Sequence, residues 1–255
     1  MPSVDDGAAD IEESRSGLAM LSSHGISSVI TTPHLRASLI DRPREFDAYL
    51  DVLDNAWVAL KELASAEFPQ MRVERGAEIM LDIPTPDFSD VRLRLAGTSF
   101  VLVEFPFMTI PPHSSLAIRE VARKGWIPII AHPERYRNIP TNYDLVEDWR
   151  DSGARIQVNE GSFIGYYGAA AKSIAWRLIQ RGSVDYLSSD YHSRGKCAVR
   201  DCADAFARRR AETQLRALTS TNPERLLCDE LPVPVPPLLD ENRSVWKRFL
   251  PWSLR

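Results

Sequence analysis

Six times along this chain a short, largely apolar run ends in or just before a histidine, a carboxylate or an asparagine. The runs are 26–32 before Pro33-His34, 71–80 with Glu78, 99–105 with Glu104, 127–131 before His132, 155–158 before Asn159, and 184–189 before Asp190 and His192. Runs this short do not sustain helices, and Pro128 argues against one in the fourth, so each reads as a strand. Between them lie stretches of helical period. Residues 10–23 open with Asp10 as a cap and Glu13 three residues on. In 43–67, Phe46, Leu50, Leu53, Trp57, Leu60 and Leu63 recur at spacings of three and four. Helices are also expected over 114–124, 142–152, 169–181, 199–218 and 223–227, and Gly25, Gly125, Gly153 and Gly182 follow helix ends.

Strands that alternate with helices imply βα units and a parallel sheet. In a closed βα barrel the C-terminal strand ends converge on one mouth, where a site is built from all of them. An open doubly wound sheet places its site at a switch point instead, and no glycine-rich phosphate fingerprint is present. The pattern therefore predicts an α/β barrel over residues 1–230. From Leu231 the composition changes. Pro232, Pro234, Pro236 and Pro237 suggest an extended linker, and residues 241–255 carry four Arg or Lys against one Glu, a basic tail.

The net charge of −4 gives no general attraction to nucleic acid. No apolar stretch approaches the roughly 20 residues of a membrane helix. The polar, acidic N-terminus is not a signal peptide, and Cys197, Cys202 and Cys228 are odd in number with no CxxC spacing. A cytoplasmic protein with reduced thiols and no thiolate metal site is expected.

The residues gathered at the mouth are His34, Glu78, Glu104, His132, Asp190 and His192, with Asp6 nearby. A nitrogen and oxygen donor set without cysteine suits manganese, iron or zinc. Several carboxylates allow bridging between two metals, an arrangement that activates water and clamps the oxygens of an in-line displacement at phosphorus. Arg135, three residues after His132, has the fork to hold a phosphate. Taken singly, Glu78 and Glu104 read as well as salt-bridged barrel residues, and Asp190 as a helix cap. His24 reads as a helix-end residue and His113 as a loop residue near the mouth. No GxSxG nucleophile elbow occurs.

The segments DDGAAD, VITTPH, RGAEI, VLVEFPF, IPIIAHPERYR, QVNEGSFIGYYG and SSDYH, in this order, resemble the bacterial manganese-dependent tyrosine phosphatases of capsule and exopolysaccharide loci. These belong to the PHP (polymerase and histidinol phosphatase) superfamily. The resemblance runs from Val4 to about Leu227. It implies a distorted (β/α)7 TIM-like barrel with a di- or trinuclear Mn²⁺ cluster, with iron or zinc as alternatives. It also implies hydrolysis of phosphotyrosine on a tyrosine kinase that controls polysaccharide synthesis, by a metal-bound hydroxide and without a phosphoenzyme. Carried over by position, His34, Glu78, Glu104, His132, Asp190 and His192 are metal ligands, Asp6 is the aspartate of the family's DDG, and Arg135 is its phosphate-binding arginine. Two departures follow. The family's first strand, with a His-x-His pair ahead of DDG, has no counterpart, since no histidine precedes His24. The barrel is therefore expected to be truncated there and one metal weakened. The family's arginine five residues after the SDxH histidine is replaced by Cys197, which leaves Arg194 or Arg200 as the second phosphate contact. A phosphoesterase acting on a small phosphate ester, and an impaired remnant acting by binding, stay open as alternatives.

Overall fold

The computed structural model describes residues 1–139, 144–193 and 195–239. The apolar runs form strands β1 (Ser28–Thr31), β2 (His34–Arg36), β3 (Arg72–Arg75), β4 (Glu78–Met80), β5 (Phe100–Glu104), β6 (Ile127–Ile130), β7 (Arg155–Asn159) and β8 (Tyr186–Ser188). Every pairing is parallel, and the main sheet runs β2-β4-β5-β6-β7-β8 in chain order. That order, with a helical or looped crossover between most neighbours, is the wall of a βα barrel. Burial alternates along it as a sheet covered on both faces requires. Phe100 and Leu102 of β5 join Ile129, Ala131 and Tyr186 on one face, while Val101 and Val103 join Ile130, Ile156 and Val158 against the helices on the other.

The helices are α1 (Ile11–Ser23), α2 (Pro43–Glu67), α3 (Ser114–Arg123), α4 (Asp144–Asp151), α5 (Glu160–Ile164), α6 (Gly168–Arg181), α7 (Val199–Ala207), α8 (Glu212–Arg216) and α9 (Asn222–Leu227). α1 starts as its sequence demands: the Asp10 side chain accepts from the Glu13 N–H, and the Glu13 carboxylate reaches back to the Ala9 N–H. α2 buries Leu50, Leu53, Leu60 and Leu63 on one stripe. His24 sits in the C-cap position of α1 and His113 in the N-cap position of α3.

Several boundaries differ from the sequence expectation, each for a local reason. The runs 26–32 and 71–80 each yield two strands. Thr32-Pro33 and Gly76-Ala77 interrupt them at the same height, while hydrogen bonds from Gly76 N to Thr31 O and from Glu78 N to Pro33 O carry the pairing across the bend. Pro33 has no N–H to give. A Cβ at Gly76 would lie 2.9 Å from Leu95 Cδ2, so the chain passes too close for a side chain there. Glu78 therefore opens β4 instead of closing a long strand. The helix expected over 199–218 stops at Ala207, Arg210 takes a left-handed φ of 53°, and α8 leads into a π-helical turn over Ala217–Thr221. The short α5 was not expected.

Residues 231–239 are extended, as the prolines suggest, but packed instead of free. Val235 is 4% exposed, Leu238 N donates to Ile179 O, and Val233 N donates to the Asn222 side chain. The basic tail, 241–255, lies outside the described residues. Among the described residues β8 does not pair with β1 or β2, so the barrel wall is open along one seam. An apolar cleft of about 220 Å³, lined by Val29, Ile30, Leu102, Ile129, Tyr186 and Leu187, occupies that seam.

Candidate active site

The strand ends bring their polar residues to one cavity of about 640 Å³, bordered by Asp6, His34, Glu104, His132, Arg135, Asp190 and His192. The register sets the first contact. His34 and Glu78 are directly paired positions of β2 and β4, and Met80 pairs with Glu104 of β5. His34 Nδ1 lies 3.7 Å from Glu104 Oε1. His132 follows β6 in a left-handed conformation, φ 35°, that turns its ring inward, where Nε2 meets Glu78 Oε1 at 2.8 Å and Glu104 Oε2 at 3.9 Å. Asp190 is likewise left-handed, φ 47°. Two non-glycine residues held in this sparsely populated region at one cavity are a mark of strain kept for function.

The opposite side is built by the N-terminal turn. Asp5 accepts the His34 N–H through Oδ2 and the Gly7 N–H through Oδ1, which leaves the neighbouring Asp6 carboxylate over the mouth. Asp6 Oδ1 is 3.8 Å from His34 Nε2 and 3.6 Å from His192 Nε2. His192 Nδ1 bonds its own loop at Asp190 O, 2.9 Å away, so Nε2 is the nitrogen presented to the cavity.

Two triads result, Asp6–His34–His192 and His34–Glu78–Glu104, whose ligand atoms lie within 4.8 Å of one another in each. The donor chemistry fits a hard or borderline cation. Burial pushes the Glu78 carboxyl up, but the hydrogen bond and charge of His132, with His34 and Arg135 beyond, outweigh it and hold Glu78 below the usual range. Glu104 is pushed up, first by burial and then by the charge of Glu78 beside it. Burial works against charge on His132, yet the Glu78 carboxylate keeps its pKa raised. His132 Nδ1 is buried with no hydrogen-bond partner. Two carboxylates forced together beside a buried imidazole with one nitrogen unpartnered form a site suited to a cation.

Arg135 stands at the edge of this cluster. Its Nη1 donates to Asp190 Oδ2 at 2.8 Å, and its guanidinium lies 4.3 Å from the centroid of the Tyr167 ring. The same Asp190 oxygen accepts from Asn159 Nδ2 at 2.6 Å and from Tyr167 OH at 3.3 Å. Asn159 is in turn fixed from behind, because its N–H and the Ser162 hydroxyl both donate to the buried Glu134. Sequence reasoning placed Asn159 at a strand end without a role and passed over Glu134, although it sits between His132 and Arg135. It missed Tyr167 and Arg36, which also line the cavity and carry no local signal. Of the two further arginines, Arg194 lies outside the described residues. Arg200 donates to Ser23 O at the end of α1 and is not among the residues lining the cavity. All three cysteines are free.

A family model for capsular polysaccharide synthesis, CpsB/CapC, matches residues 1–228. The chain belongs to the CpsB/CapC family. It is 28% identical over 194 residues to the tyrosine-protein phosphatase YwqE of Bacillus subtilis (strain 168), covering 76% of this chain and 74% of that protein. With the tyrosine-protein phosphatase CpsB of Streptococcus pneumoniae it shares 24% identity over 237 residues, 89% of this chain and 95% of the other. A crystal structure from work on those two proteins, described as unique metal-dependent tyrosine phosphatases, aligns with a TM-score of 0.74 at 26% identity. That alignment covers 92% of this chain and 94% of the other. The fold is thus the PHP-type parallel α/β fold, and the relatives are metal-dependent tyrosine phosphatases of capsule synthesis. No helix among the described residues is long and apolar enough to cross a membrane.

Proposed function

We propose that this chain is a metal-dependent protein-tyrosine phosphatase acting in the cytoplasm on a tyrosine kinase of capsular or exopolysaccharide synthesis. One observation carries the reading. Two overlapping nitrogen and oxygen triads share a cavity with an arginine whose guanidinium is already aimed and held. His34, Glu78, Glu104, His132, Asp190 and His192 would hold the metal, with Mn²⁺ the first choice and iron or zinc also suited to the donors. The bound cation supplies Lewis-acid polarisation of the phosphate and a lowered pKa for water.

The remaining tasks fall to side chains. Arg135 binds the phosphate oxygens through its fork, and the Tyr167 ring beneath it fixes the plane. Asp190 and Asn159 hold that guanidinium in reach of the triads. Asp6, with its side chain 71% exposed, orients the Nε2 atoms of His34 and His192 from the open side. Burial of Glu78, Glu104 and His132 keeps the floor dry, which strengthens each interaction there. An open mouth with His34 and Asp6 at its rim favours a tyrosine presented on a polypeptide over an enclosed small phosphate ester.

The test is release of phosphate from a phosphotyrosine peptide by the purified protein in Mn²⁺. Turnover that disappears in His132→Ala is the expected result. No release by the wild-type chain at any Mn²⁺, Fe²⁺ or Zn²⁺ concentration sinks the reading.

A further inference from the structure

The polar floor of the cavity has an apolar wall to which the phosphate chemistry assigns nothing. Leu35 and Met80 contribute from β2 and β4, and Phe107 and Met108 from the turn after β5. The turn is unusual in three respects. Phe107 and Met108 both sit in the left-handed region, at φ 55° and 54°, although neither is glycine. Phe107 is 79% exposed, a large aromatic surface turned to water beside an apolar neighbour that packs against the core. The turn is also pinned at both ends. Phe105 N donates to the buried Tyr136 hydroxyl, and Arg137 N donates to Met108 O. Tyr136 and Arg137 directly follow Arg135, so the segment that places the guanidinium also fixes the turn that presents Phe107. Consecutive left-handed non-glycine residues are strained and persist where the surroundings hold them, typically at ligand clamps.

We propose that Phe107 and Met108 form the wall on which the aromatic ring of an aryl phosphate packs, so that this turn makes the site select aryl over alkyl phosphates. The inference rests on the hydrolase reading above for the position of the phosphate. A phosphate held by Arg135 beside Glu104 and His132 leaves its ester group pointing toward the rim. Phe107 and Met108 line the same cavity as Arg135, Glu104 and His132, so a phenyl ring on that ester has an apolar wall to cover, while a methyl group offers it little surface. The wall supplies what such a ring prefers: an aromatic face for offset or edge contact and a thioether at its margin.

The test uses the full chain in Mn²⁺ buffer, with phenylphosphonate and methylphosphonate as probes measured by calorimetry. The wild type is expected to bind phenylphosphonate more tightly than methylphosphonate, and Phe107→Ala to reduce that preference about tenfold. Phe107→Tyr keeps the ring and restores the preference. Since Phe107 is exposed, the alanine variant keeps its fold, which circular dichroism checks. In parallel, kcat/KM for a phosphotyrosine peptide should fall in Phe107→Ala while that for a small alkyl phosphate stays as it was. A wild type with no preference for the phenyl probe overturns the inference, and so does an equal loss for both probes in Phe107→Ala. If the chain turns over no phosphate ester but its phenyl preference depends on Phe107, the hydrolase reading fails and the ring wall stands. If turnover is present and indifferent to Phe107, the reverse holds.

Discussion

The two sides of the barrel treat the same kinds of residue in opposite ways. Along the continuous wall, β4, β5 and β6 deliver Glu78, Glu104 and His132 to a floor where Glu78 is 5% and His132 4% exposed. Beside the open seam, the N-terminal turn, β2 and the loop after β8 deliver Asp6, His34 and His192, all substantially exposed. The chemistry of the donors is alike and the dielectric is not. On the wall side, burial and then the charge of Glu78 push Glu104 up, while the pairing of Glu78 with His132 outweighs burial, raising His132 and holding Glu78 low. On the seam side, water screens the same groups. The wall should therefore carry most of the metal affinity and the seam should tune it.

The largest expected effect tests that division directly. His132→Ala should cut Mn²⁺ affinity and phosphotyrosine turnover by at least about 100-fold, whereas Asp6→Ala should cost about tenfold. Calorimetry of the two variants breaks the comparison if Asp6→Ala proves the more damaging.

The second prediction probes the seam cleft. Glu160 borders it, is buried, and is pushed up to about 7 by burial alone, with one carboxylate oxygen unpartnered. A folded-state pKa above the unfolded value of 4.5 means a penalty absent at low pH, which grows as pH rises and is complete above about 7. Glu160→Gln should leave stability unchanged at pH 4 and raise it at pH 8 by up to about 3 kcal/mol. Urea unfolding at the two pH values measures this, and no gain at pH 8 means that water fills the cleft.

Smaller again is the brace behind β8. Asn222 Nδ2 donates to Asp185 O just before that strand, while its oxygen accepts from Val233 N. Val235→Asp should lower stability by about 2 kcal/mol in thermal unfolding, because it undocks the segment that supports the seam's far edge. The smallest effect concerns the edge shared by both sides. Tyr167→Ala removes the ring beneath Arg135 and should raise KM by about fivefold, with kcat changed less.

The alternation of strands and helices, and the polar residues at the strand ends, were legible because periodicity and glycine positions are local signals. His34, Glu104, His132, Arg135, Asp190 and His192 meet at one mouth because parallel strands leave no other place for their ends. What local signals do not carry is contact across the barrel. The bend at Gly76 depends on Leu95, a residue nineteen positions away in the chain, so Glu78 was placed at the wrong end of its strand. The docking of Val235 depends on Asn222 and Ile179, which a run of prolines does not announce. Tyr167 acts on Arg135 and Asp190, and Glu134 on Asn159 and Ser162, contacts made far along the chain that no local pattern announces.

The pairing of Arg135 with Asp190 has a kinetic consequence. On the reading proposed above, phosphate arriving at the guanidinium would not meet a bare cation; it would compete with a carboxylate already in place. The same competition would run backwards once the ester bond is gone, with Asp190 beside the fork as inorganic phosphate leaves. An arginine with an internal substitute for its ligand gives up affinity in return for fast departure. Inorganic phosphate should accordingly be a weak product inhibitor, which inhibition kinetics on the wild-type chain measures.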